Sequence, residues 1–132
     1  MPLEAEEKRR IMVYGYAGGS KPEAKSIEYY NAEALKNHIR ADKDLAGKFL
    51  VEAFHRFERV PEGYADLENA DRAREAKRKL ESADFILLTY AGSNLRRELA
   101  GWGLSRKVIR KDDLKGHWIK AFFKEITAAK KQ

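Results

Sequence analysis

The chain has 132 residues, no cysteine and a formal net charge of +6. That length holds one hydrophobic core rather than two, and the lack of cysteine excludes disulfides, thiolate metal sites and a cysteine nucleophile. The longest apolar run, Phe85 to Leu88, is far too short to cross a bilayer, and no signal-peptide pattern follows the charged start, so a cytoplasmic protein without membrane contact is expected.

Residues 11–16, Ile-Met-Val-Tyr-Gly-Tyr, are β-branched and aromatic and run into Ala17-Gly18-Gly19-Ser20, the pattern of a strand entering a glycine turn. Residues 1–9 before them read as a flexible segment. Pro22 suits the first turn of a helix, and Ile27, Tyr30, Ala34, Leu35 and Ile39 recur at helical spacing, which predicts a helix over 22–40. Leu45, Phe49, Ala53 and Phe54 fit another helical face, so a helix over 43–53 and a short strand over 55–60 are expected next. Pro61-Glu62-Gly63 is a turn.

Asp66 then serves as the N-cap of a charged helix reaching about Leu80. Glu68–Arg72 and Glu75–Lys79 are four-residue pairs in the favourable order. Leu67, Ala70, Ala73, Leu80 and the stem of Lys77 give this helix a narrow apolar face. Phe85-Ile86-Leu87-Leu88 shows no alternation, as a central parallel strand buried on both faces should. After the turn Ala91-Gly92-Ser93-Asn94, residues 94–100 form a short helix closed by Gly101 and Gly103. Lys107 to Arg110 is a brief strand. Asp112 caps a last helix carrying Leu114, Trp118, Ile119, Phe122 and Ile126. The alternation predicts a single α/β domain over 1–132, a three-layer α/β/α sandwich with a short, mostly parallel sheet of four to five strands.

Two turns match. Val13-Tyr14-Gly15-Tyr16-Ala17-Gly18-Gly19-Ser20 and Leu87-Leu88-Thr89-Tyr90-Ala91-Gly92-Ser93-Asn94 each carry an apolar strand into Tyr-Ala-Gly, a small polar residue and a helix. Ligands of open α/β sheets bind at this strand end. Glycine lets backbone N–H groups approach an anion or sugar, and a helix N-terminus adds partial positive charge. Gly18, Gly19, Ser20, Gly92, Ser93 and Asn94 are therefore candidate substrate contacts. Tyr14, Tyr16 and Tyr90 stand at the rim, where a ring stacks on a base and a hydroxyl bonds it. Neither turn is a triphosphate-binding loop or a dinucleotide fingerprint.

Glu98 lies about one helical turn beyond the second loop. A carboxylate there can attack an anomeric carbon or stabilise an oxocarbenium ion. From Ala83-Asp84-Phe85-Ile86-Leu87-Leu88 through Glu98-Leu99-Ala100, the chain resembles the second half of the nucleoside 2-deoxyribosyltransferase-like superfamily. Val13 to Ser20 looks like that family's first strand and glycine-containing substrate loop. The resemblance implies cleavage or transfer at an N-glycosidic bond, with Glu98 as nucleophile and a nucleoside, nucleotide or NAD-like substrate. The family's helix acid before the Ala-Asp pair falls on Ala76, with Glu75 beside it as the substitute contact, and the glycine flanking its Glu is Arg97 here. A more distant likeness to TIR domains, some of which cleave NAD, points to the same bond type.

No cofactor is implied, and His38, His55 and His117 are scattered without metal-ligand spacing. Two other readings compete. The basic residues Arg96, Arg97, Arg106, Lys107, Arg110 and Lys111 would suit a nucleic-acid-binding module. Trp118, Phe122 and Phe123 point from more than one side of the last helix, as in a protein-interaction domain or homodimer.

Overall fold

Strands and helices alternate strictly along the chain in the computed structural model, which describes residues 8–17, 27–57, 66–89 and 93–130; side chains at 16–17, 55–57, 66–72, 93–94 and 128–130 lie outside that description. The elements are β1 (Arg9–Ala17), α1 (Ile27–Ala41), β2 (Phe49–Phe57), α2 (Asp66–Glu81), β3 (Phe85–Leu88), α3 (Ser93–Gly101), β4 (Val108–Arg110) and α4 (Trp118–Lys130). The four strands form one parallel sheet in the order β2-β1-β3-β4. This is the single-domain α/β fold the alternation predicts. No helix among the described residues is long and apolar enough to cross a membrane.

The sheet buries both faces because its central strands are apolar on both sides. Ile11, Val13, Phe85 and Leu87 face α1 and α4, where Ala32, Leu35, Phe122 and Ile126 meet them. Met12, Tyr14, Ile86 and Leu88 face α2 and α3, against Ala76, Leu80, Leu95 and Leu99. All four residues of β3 are buried, as its unbroken apolar run requires. Helix α3 ends where the Leu104 N–H donates to the Leu99 carbonyl and the Gly103 N–H to that of Ala100, both at 3.0 Å. Leu104 and Leu99 are buried together above this cap.

Several expected boundaries move. Arg9, placed in a flexible segment, already pairs with Phe49, and its guanidinium lies 5.8 Å from the centre of the Phe85 ring. The helix expected over 43–53 does not form. The Asp44 N–H donates to Asp42 Oδ1 at 2.8 Å, Gly47 takes a φ of 78°, and Phe49 onward pairs along β1 instead. A left-handed residue there ends any helix, and nine-residue pairing with β1 outweighs weak helical spacing. Helix α4 starts at Trp118 rather than Asp112: residues Lys111–Asp113 make a single 3-10 turn, and Gly116, at a φ of 74°, breaks the path. On α2 the sheet-facing residue is Ala76, while Lys77 is exposed. Glu75 and Lys79 do approach, at 4.0 Å.

Phe122 and Phe123 do not leave an apolar face open. Both are buried, and Phe123 stacks on His38 at 5.3 Å and meets Phe49 edge-on at 5.5 Å. The aromatic surplus that suggested a dimer is absorbed by the chain's own core.

Candidate functional site at the ends of strands β1 and β3

From β1 the chain moves through α1 to β2 on one flank, and from β3 through α3 to β4 on the other. The connections diverge between β1 and β3, which makes their C-terminal ends the topological switch point. The two strands pair from Ile11↔Phe85 to Tyr14↔Leu88, and the Thr89 N–H closes the ladder by donating to the Tyr14 carbonyl at 3.0 Å. Strand β1 then continues through Gly15, Tyr16 and Ala17, still paired with β2. At this end β1 runs on past the last residue of β3, and the segments carrying the two Tyr-Ala-Gly sequences follow these strands in the chain. Gly18, Gly19, Ser20, Tyr90 and Gly92 themselves fall outside the described residues, as do the side chains of Tyr16, Ser93 and Asn94.

Glu98 reaches this end from α3. The Tyr14 hydroxyl donates to Glu98 Oε1 at 3.2 Å. Tyr14 is fully buried and stacks on Phe54 with ring centres 6.5 Å apart, so the donor is held on a rigid strand. Tyr14 thus faces α3 as a positioning group for Glu98, with its ring packed in the core rather than open for stacking. Glu75, the other candidate acid, sits exposed in the middle of α2, paired with Arg78 at 3.4 Å, and does not join Glu98 or Tyr14.

The residue that sequence reasoning missed is Glu28. It lies in the first turn of α1, is 1% exposed, and is packed against Gly15 from the face opposite Glu98. Burial pushes its carboxyl up from 4.5 to about 7. Smaller opposing pulls come from its own backbone N–H and the Thr89 hydroxyl. Neither gives a carboxylate oxygen a hydrogen bond of normal geometry, and both oxygens are unpartnered. Its signal was legible: residues 28, 32, 35 and 39 carry helical spacing, with an acid in the first place. The expected face instead used Ile27 and Tyr30, which are 61% and 60% exposed.

Gly15 makes this arrangement fit. A Cβ there would overlap Thr89 Oγ1 and meet Glu28 Oε1 at 3.0 Å. Gly15→Ala is therefore expected to cost about 1–3 kcal/mol, the range for overpacking a filled site, measured as a lower urea midpoint. The double variant Gly15→Ala, Thr89→Ala, which removes the overlapping γ-oxygen, should recover part of that loss.

The basic residues divide. Lys107 Nζ donates to the carbonyls of Glu81 and Ala83 at 2.9 and 2.8 Å, closing the end of α2. Lys111 Nζ lies 4.9 Å from the Trp118 ring centre and donates to Asn31 Oδ1 at 3.4 Å. Both ammonium groups serve the fold. Arg96, Arg97 and Arg106 remain exposed. A groove of about 530 Å³ runs beside β4, lined among others by Arg96, Arg110, Asp113 and Glu125, so its charge is mixed. Among the described residues no cluster of His, Asp or Glu could hold a metal ion. The chain matches no family model, no curated protein and no solved structure.

Proposed function

We propose that the switch-point edge at the ends of β1 and β3 takes a nucleoside- or nucleotide-like ligand and that Glu98 acts at its N-glycosidic bond. The observation that carries this reading is the Tyr14–Glu98 hydrogen bond at the switch point: a carboxylate held by a buried donor where α/β sheets bind their ligands. The chemistry follows from the carboxylate. One Glu98 oxygen attacks the anomeric carbon, the carbon–nitrogen bond breaks, and its electron pair leaves on the base. A glycosyl ester results, which water hydrolyses or a second base displaces. The Tyr14 hydroxyl fixes the side-chain rotamer before attack.

The test is chromatographic. Wild-type protein incubated with a panel of nucleosides, nucleoside monophosphates and NAD is expected to release free base from at least one member. Glu98→Gln should lower that rate by about a thousandfold or more while the melting temperature holds. Tyr14→Phe should lower kcat by about ten- to a hundredfold with little change in KM, the size of a lost hydrogen bond to a charged group. A folded wild type that releases base from no panel member overturns the reading.

A further inference from the structure

Three buried polar atoms without a hydrogen-bond partner lie within one turn of α1: Glu28 Oε1, Glu28 Oε2 and Asn31 Nδ2. Residues three apart stand side by side on one helix face. Here that face is turned into the protein: Glu28 is 1% and Asn31 8% exposed, and the Glu28 carboxyl rests against Gly15 and near Thr89, at the C-terminal ends of β1 and β3. Folded proteins leave few buried polar atoms unpaired, and a cluster of them at a ligand-binding edge implies a partner of matching chemistry.

The orientation of Asn31 defines that chemistry. Lys111, pinned over the Trp118 ring, can only donate, so the Asn31 atom it touches is the carbonyl oxygen. The Asn31 amide nitrogen is then the donor left without a partner. Beside it stands a carboxyl group able to accept from an N–H. The pair presents one donor and one acceptor along a single helix face. The complementary edge has an acceptor next to an N–H donor, as in a primary amide, a lactam or an amidine. Nucleobases carry such edges. Gly15 carries no Cβ, and the Glu28 carboxyl packs directly against it on the α1 face.

We infer that Glu28 and Asn31 form a base-reading subsite, in which Asn31 Nδ2 donates to a carbonyl or ring nitrogen of the base and Glu28 accepts from the adjacent N–H. That the ligand is a base rests on the N-glycoside reading above. The donor–acceptor arrangement stands on Glu28 and Asn31 alone. Glu28 approaches the end of β1 from the α1 face and Glu98 from the α3 face, so one reads the ligand and the other reacts with it.

The experiment titrates the wild-type protein with adenine, hypoxanthine, cytosine and uracil by ligand-observed NMR, with 1,3-dimethyluracil as the control that keeps the carbonyls and loses both N–H donors. At least one base is expected to bind, and dimethyluracil is expected to bind at least tenfold more weakly than uracil if uracil is that base. Glu28→Leu and Asn31→Leu should each weaken base binding at least tenfold while the chain stays folded, and Glu28→Gln, which keeps shape and an acceptor, should weaken it less. Unchanged affinity in both leucine variants overturns the subsite. So does binding of no base to the folded wild type, in which case water fills the gap. The two proposals fail separately. Base release that needs Glu98 but ignores Glu28→Leu removes the subsite and keeps the enzyme; base binding that needs Glu28, with no release from any nucleoside, does the reverse.

Discussion

Glu28→Gln is expected to stabilise the protein at pH 8 by about 3 kcal/mol and to change little at pH 4. Folding moves the Glu28 carboxyl from 4.5 to about 7 because the charged form loses its water. Below pH 4.5 both the folded and the unfolded chain hold the proton, and the residue costs nothing. Between pH 4.5 and 7 the unfolded chain releases a proton that the folded chain keeps, so stability falls as pH rises through that window. Above pH 7 the folded carboxyl ionises too, and the loss is complete. Glutamine has nearly the same shape and no charge to bury, so it escapes the whole loss, about 1.4 kcal/mol for each pH unit of displacement. In a domain of this size the gain corresponds to a melting temperature higher by about 10 °C at pH 8. Thermal melts of both proteins from pH 4 to pH 9 measure it. Equal shifts at the two ends would mean that ionisation is not the cause.

Phe122→Ala should be the most damaging single truncation on the α1 side of the sheet, at about 3–5 kcal/mol. Phe122 is fully buried in the cluster that joins Val13, Leu87 and Leu35, and it meets Phe123 edge-on at 5.5 Å. Domains of this size are stable by roughly 5–15 kcal/mol in total, and the variant should sit near the edge of folding at 37 °C. A urea titration should show a lower midpoint with the slope unchanged. A loss under about 1 kcal/mol would show that α4 is anchored elsewhere.

The sequence declared its fold where side-chain chemistry and burial agree. Phe85 to Leu88 has no polar residue to place, so a strand buried on both faces was the only consistent assignment, and β1 was legible for similar reasons. Reading failed where polarity and burial disagree. On α1 the apolar residues Ile27 and Tyr30 face water while Glu28 and Asn31 face inward. A hydrophobic count therefore rotates the helix and hides the acid most worth finding. In 43–53 the helical spacing of Leu45, Phe49 and Ala53 was real but weaker than pairing with a strand 40 residues earlier (Arg9 with Phe49), which no local window contains. Glu98 was singled out because it follows a recognisable turn. Its partner Tyr14 was expected at the rim as a stacking ring, and only strand order and strand face reveal that it points toward α3.

The strand order also governs how this molecule must come into being. The two middle strands are far apart along the chain: the Arg10 backbone N–H binds the Asp84 carboxylate across a separation of 74 residues. The strand that pairs with β1 earlier is β2, at the margin of the sheet, and the inner edge of β1 stays unpaired until β3 arrives. Contacts this distant slow folding, because a long loop must close before they return any energy. During synthesis the first half of the chain waits with an apolar strand edge uncovered, exposed to wrong pairings. The edge at which Tyr14 meets Leu88 and Thr89 is consequently among the last features to be assembled, and a nascent chain halted before Phe85 would lack it altogether.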